Sequence, residues 1–166
     1  MLFRSCVGKT IVGLHLSEIT DRIFFDTDRL IEKRESKTIP EIINENGWEY
    51  FRLKEKEVII DVSKEGNAVI SLGGGALMNR ENVESLKDSI FILLKADIST
   101  MKDRMEKDAP RPSLTNHDSK SEIELIMAER MPVYKKIADI IIDTDDISVY
   151  EVCDKILFEI EKRGVV

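Results

Sequence analysis

Gly8-Lys9-Thr10 runs directly into Ile11-Val12-Gly13-Leu14-His15-Leu16, and few folds can use such a junction. A glycine, a lysine and a hydroxyl residue at the head of a helix form the second half of a phosphate-binding loop. In such a loop the backbone N–H groups and the helix N-terminus cradle polyphosphate, the lysine reaches the outer phosphates and the hydroxyl ligates Mg2+. A strand must feed the loop and a helix must leave it, which implies an α/β sheet. The first half of the motif departs from the pattern G-x-x-x-x-G-K-[ST], because its leading glycine is replaced by Phe3, and Cys6 fills another place where glycine is common. Only Met1 and Leu2 precede the loop, against the roughly five residues of a buried strand, so the first strand is expected to be missing or truncated.

Downstream, the chain alternates. Ile23-Phe24-Phe25 is a short apolar run ending in Asp26-Thr27-Asp28, as a buried parallel strand with acids at its carboxyl end would read. Arg29 to Arg34 reads as a short helix, and Thr38 with Pro40 and Glu41 marks the start of another. Gly47 breaks that segment, and Phe51, Leu53, Val58, Ile59 and Val62 predict a longer amphipathic helix from Glu49 to about Lys64. The run Ala68 to Leu72 predicts a strand that enters Gly73-Gly74-Gly75. Asn79 to Leu86 reads as helix, Ser89 to Leu94 as strand and Ser99 to Lys107 as helix, followed by a polar loop over 108–120. A helix over 122–136, the strand Ile140-Ile141-Ile142 and a helix from Ser148 to Arg163 complete the chain. Such alternation predicts a three-layer α/β/α open parallel sheet with ligands at the carboxyl ends of the strands, where the acids, the glycines and the Gly-Lys-Thr loop all fall.

At 166 residues the chain is expected to form a single domain, 1–166. A net charge of −7, with basic residues interspersed among more numerous acids, argues against nucleic acid as the main partner. No apolar run is long enough to cross a bilayer, no secretory leader is evident, and the cysteines Cys6 and Cys153 are too few for a disulfide framework, so a cytoplasmic location is expected. Cys6 lacks the following arginine of a thiol-based phosphatase loop, and neither His15 nor His117 is placed by sequence to serve as its base.

Lys9-Thr10, Phe25-Asp26-Thr27-Asp28-Arg29-Leu30-Ile31-Glu32, Ile39 to Ile42, Gly47 with Phe51-Arg52, Ser71-Leu72-Gly73-Gly74-Gly75, Arg111-Pro112 and Arg130-Met131-Pro132-Val133-Tyr134 form an ordered set. In order and spacing that set resembles shikimate kinase from Gly8 to Asp143. The resemblance implies a P-loop kinase fold with a mobile lid at about 108–120 and an acceptor-binding helical region at about 28–65. It implies transfer of the ATP γ-phosphoryl group to the 3-hydroxyl of shikimate in aromatic amino-acid biosynthesis, by a monomer with Mg2+.

Within that resemblance, Val7, Gly8, Lys9, Thr10 and Ile11 hold the nucleotide phosphates, Arg104 stacks on adenine and the lid arginine, Arg111, covers the transferred phosphate. Thr10 and Asp26 serve the magnesium ion. Asp28, which on an extended segment would point to the same side as Asp26, resembles the contact to the reacting hydroxyl and its proton acceptor. Arg52 and Arg130 match the pair that binds the acceptor carboxylate, for which planar bidentate donors are suited. Glu55, three residues after Arg52 on a helix, could hold its guanidinium. Three successive glycines are costly in backbone entropy, so a tight loop that lets main-chain N–H groups approach a ligand accounts for Gly73, Gly74 and Gly75.

The chain departs from the family where Trp48 stands for glutamate, Ser113 for leucine, and Phe3 and Cys6 for glycines. A Cβ in a tight loop can block a positive φ or the approach of phosphate. Two alternatives therefore stay open: a kinase of another small hydroxy acid or a nucleotide, and a catalytically impaired shikimate-binding relative.

Overall fold

The structure, a computed structural model, describes residues 8–97, 99–100 and 119–164. The stretch ahead of Gly8, where the first strand is expected to be missing or truncated, lies outside the described residues, as do positions 108–118 of the lid expected at 108–120 and 101–107 of the helix expected over 99–107.

Gly13–Ser89 form one compact unit. Helix α1 (Lys9–Thr20) precedes strand β1 (Ile23–Asp26), and Gly13 lets them approach, because a Cβ there would lie 2.8 Å from Phe24 Cε2. Helix α2 (Thr27–Glu35) starts as β1 ends, and α3 (Ile39–Val62) follows after a short turn. Glu41 sets the entry to α3: its carboxylate accepts from the Thr38 backbone N–H at 2.8 Å and from the Thr38 hydroxyl at 2.7 Å. This is the reciprocal cap expected of a Thr-x-x-Glu start. Gly47 does break the helix, with φ +83° and ψ 173°, a conformation essentially confined to glycine.

Strand β2 (Ala68–Ser71) pairs in parallel with β1, in register from Ile23 opposite Ala68 to Asp26 opposite Ser71. Their carboxyl ends are thus level. A 3-10 turn (Ala76–Met78) and α4 (Arg80–Ser85) close the unit. Its core gathers Ile31 from α2 with Ile39, Ile42, Phe51, Val58 and Val62 from α3, and Phe25 and Ile70 of the two strands pack against it. Each such side chain contributes about 1.5–3 kcal/mol on burial. The α2–α3 rim carries an Arg34–Asp61 ion pair at 2.9 Å and a hydrogen bond from Tyr50 Oη to Glu35 at 2.8 Å. One expectation reverses on α3: Leu53 is 51% exposed, whereas Glu55 is 1% exposed.

The other unit comprises the described residues among Ser5–Val12 and Ile90–Val166. Strands β3 (Ile92–Lys95) and β4 (Ile140–Asp143) pair in parallel, with Ile92 opposite Ile140 and Lys95 opposite Asp143. Helix α5 (Ser119–Ile137) leads into β4, and α6 (Val149–Lys162) begins at a second reciprocal cap between Ser148 and Glu151. Leu94, Ile140, Ile142, Val152, Cys153 and Ile156 are buried there. No helix among the described residues is long and apolar enough to cross a membrane.

Candidate active site

The junction of β1 with α2 carries the acids. Asp26 is the N-cap of α2, its Oδ1 accepting from Arg29 N at 3.2 Å. Because the backbone turns helical at Thr27, Asp28 lies in the first helical turn. The alternation of an extended strand therefore does not govern where its carboxylate goes. Between the acids, Thr27 is completely buried.

The glycine loop leaves β2 beside this junction. Gly73 N donates to Thr27 Oγ1 at 3.0 Å, and the same hydroxyl donates to Ser71 O at 3.3 Å. Ala76 N donates to Gly73 O and Met78 N to Gly75 O, each at 3.1 Å, which winds the loop into the 3-10 turn. Asn82, also completely buried, donates from Nδ2 to Ala76 O at 2.9 Å and closes the far end.

None of Gly73, Gly74 and Gly75 has a positive φ, so the surroundings, and not the backbone angles, distinguish glycine at the first and last of them. A Cβ on Gly73 would lie 2.6 Å from Asp28 Oδ1 and 3.1 Å from Glu55 Oε1, and one on Gly75 would lie 2.5 Å from Arg52 Nη2. The 2.6 and 2.5 Å approaches are shorter than real Cβ contacts, so the Asp28 or Arg52 side chain would have to shift. Asp28, Glu55, Arg52 and two of the three glycines therefore crowd one place in the Gly13–Ser89 unit. The Gly73 amide, expected to face a ligand, is engaged by Thr27.

Arg52 is held from three sides. Its Nη1 donates to Glu55 Oε2 at 2.6 Å, and its guanidinium carbon lies 5.4 Å from the Trp48 ring centroid and 5.3 Å from that of Phe51. The two rings meet edge to face, 5.9 Å apart at 84°. A nearly inaccessible carboxylate requires a paired cation, and aromatic faces attract a guanidinium, so sequence and surroundings together fix this side chain. A guanidinium has five N–H donors, more than Glu55 alone can engage, and a planar carboxylate suits them.

The nucleotide candidates belong to the other unit. Gly8 has φ +82°, a conformation that glycine takes readily, and its carbonyl accepts from Val12 N at 2.9 Å as α1 begins. Lys9 and Thr10 are half-buried in the first turn of this 12-residue helix, and Ile11 is exposed. Amides at such a start suit phosphate. Arg130 is half-buried on α5, two residues before Pro132. Val7, Arg104 and Arg111 lie outside the described residues.

Magnesium fits the donors present. Among the described residues no group of three or more His, Cys, Asp or Glu side chains gathers as a cage. Mg2+ bound with a nucleotide takes only one or two protein oxygens besides phosphate and water, and the Thr10 hydroxyl in one unit and the Asp26 carboxylate in the other are each oxygen donors of the kind it takes.

Sequence reasoning missed Thr27 and Asn82. Thr27 had a signal, a hydroxyl residue between two acids at a strand end. Asn82 had none, since its bond to Ala76 depends on how the loop folds back.

Comparison with known proteins agrees with this geometry. A family model described as shikimate kinase matches residues 5–161. The shikimate kinase of Burkholderia lata is 37% identical over 160 residues, covering 96% of this chain and 87% of that protein. That of Caldanaerobacter subterraneus is 36% identical over 151 residues, covering 90% and 88%. Among solved structures, shikimate kinase from Acinetobacter baumannii in complex with shikimate superposes with a TM-score of 0.89 at 30% identity, covering 98% of this chain and 91% of that one. The Aquifex aeolicus enzyme gives 0.82 at 33% identity, with 96% and 93% covered. The fold is accordingly that of a three-layer P-loop α/β kinase, and the chain belongs to the shikimate kinase family.

Proposed function

We infer that this protein transfers the γ-phosphoryl group of ATP to the 3-hydroxyl of shikimate. The observation that carries the reading is the crowding of Asp28, Arg52, Gly73 and Gly75 into one place, with Arg52 braced by a buried glutamate as a carboxylate receptor needs. Phosphoryl transfer depends on positioning and charge neutralisation more than on covalent help. Arg52 and Arg130 bind the shikimate carboxylate, Gly74 and Gly75 let it approach the main chain, and Gly73 provides room beside Asp28. The Asp28 carboxylate takes the proton of the 3-hydroxyl as the new O–P bond forms and the bond to the departing ADP oxygen breaks. Lys9 and the amides from Val7 to Ile11 hold the phosphates, Arg104 stacks on adenine, and Arg111 closes over the transferred group within a lid at 108–120 that excludes water. Thr10 and Asp26 hold Mg2+, which when bound neutralises phosphate charge. The enzyme acts as a single-domain monomer in the cytoplasm.

A coupled ADP-release assay tests this across shikimate, quinate, gluconate and nucleoside monophosphates. Shikimate is expected to give the highest kcat/KM. Preference for another acceptor overturns the substrate assignment, and calorimetry showing shikimate binding without ATP binding would turn the enzyme into a binding protein.

A further inference from the structure

The ladder between β1 and β2 ends at Asp26 opposite Ser71. One residue beyond it, at the start of α2, the Thr27 hydroxyl accepts from Gly73 N at 3.0 Å and donates to Ser71 O at 3.3 Å. A threonine hydroxyl has one proton and two lone pairs, and here the proton and one lone pair go to a segment more than forty residues away in sequence. The side chain is completely buried, so water offers no substitute for either bond. Its neighbour Asp28 presses on the same glycine, with Oδ1 2.6 Å from where a Cβ on Gly73 would be. Whatever fixes Gly73 therefore also fixes the wall beside the Asp28 carboxylate.

We propose that Thr27 is a positioning residue, whose hydroxyl couples the Asp28 carboxylate to the glycine loop so that the two sides of the acceptor subsite keep one spacing. The proposal rests on the reading that Asp28 and this loop meet the acceptor. Without the hydroxyl, the Gly73 amide and the Ser71 carbonyl must find other partners, and the loop shifts to reach them. Displacements of about 1 Å near a reacting centre cost up to about a hundredfold in rate.

The test compares Thr27→Val, Thr27→Ser and Thr27→Ala with the parent and with Asp28→Asn, measuring kcat, both KM values and melting temperature. Thr27→Val is expected to lower kcat/KM for shikimate by about 10- to 100-fold while the KM for ATP moves by less than about threefold. Thr27→Ser and Thr27→Ala both lack the methyl group and differ only in the hydroxyl. The serine variant should exceed the alanine variant by about tenfold in kcat/KM for shikimate, even if the valine variant does not fold. Equal kinetics for serine and alanine, or a parallel loss toward ATP, overturns the proposal. Asp28→Asn separates the two levels: if it abolishes turnover while Thr27→Val is silent, only the coupling fails. If Asp28→Asn retains full turnover, the reading of Asp28 fails and takes the coupling with it.

Discussion

Gly73 and Gly75 are alike in sequence and unlike in what a methyl group would meet. At Gly75 the added carbon strikes the Arg52 guanidinium, 2.5 Å from Nη2 and 2.9 Å from Nη1, whereas at Gly73 it strikes Asp28 Oδ1 and Glu55 Oε1. Gly75→Ala is therefore expected to act as a remote Arg52 substitution, raising the KM for shikimate about tenfold or more with kcat less affected. Gly73→Ala should chiefly lower kcat, because it displaces the Asp28 carboxylate, the proton acceptor in the reading proposed above. Steady-state kinetics of the two variants checks this, and identical profiles would contradict the division. Three glycines in a row read as a tight loop that brings main-chain N–H groups to a ligand, and that pattern carries no sign of these neighbours: φ is not positive at either position, and an added Cβ would instead force the Asp28 or Arg52 side chain to move.

At the level of elements, the helix starts were legible because capping is local chemistry. Thr38-x-x-Glu41 and Ser148-x-x-Glu151 form the hydrogen-bonded boxes that their spacing suggests. The hydroxyl and backbone N–H of Thr38 hold the Glu41 carboxyl below its ordinary value of 4.5, and the backbone N–H and hydroxyl of Ser148 do the same for Glu151. A carboxyl depressed on folding stabilises the fold fully above its ordinary value, and that contribution disappears as pH falls through the lowered one. Glu151→Gln should thus lower the melting temperature at neutral pH, and the gap to the parent should narrow below about pH 4. Melting curves from pH 7 to pH 3 read this directly, and a gap that widens on acidification would exclude it. The faces of α3 were less legible. Periodicity alone assigned Leu53 inward, yet Glu55 is buried and Leu53 exposed, because the carboxylate must reach Arg52 from inside the unit. A pattern of apolar residues records burial against carbon and cannot record burial against a charge.

Across the molecule, the order of strands and helices was read from short apolar runs that end in acids or glycines, and the two parallel pairs follow it. Asp28, Arg52, Gly73 and Gly75 are dispersed over nearly fifty positions in sequence and come together beside the level carboxyl ends of β1 and β2. The bond from Gly73 to Thr27 depends on tertiary approach, so the hydroxyl residue between two acids marked the position in sequence without marking its partner. The aromatic neighbour of Arg52 was visible only as an unusual residue after Gly47. Trp48 is 37% exposed, lies 5.4 Å from the guanidinium and is the one tryptophan in all 166 residues. Its indole emission therefore reports on a single location, and a carboxylate arriving at Arg52 changes the field across that fluorophore. Titration with shikimate is expected to alter the emission along a saturating curve that Arg52→Ala removes, whereas ATP alone should leave it nearly unchanged. If Arg52 receives the acceptor as proposed, this one indole serves as a built-in optical gauge of its occupancy, readable without label or turnover.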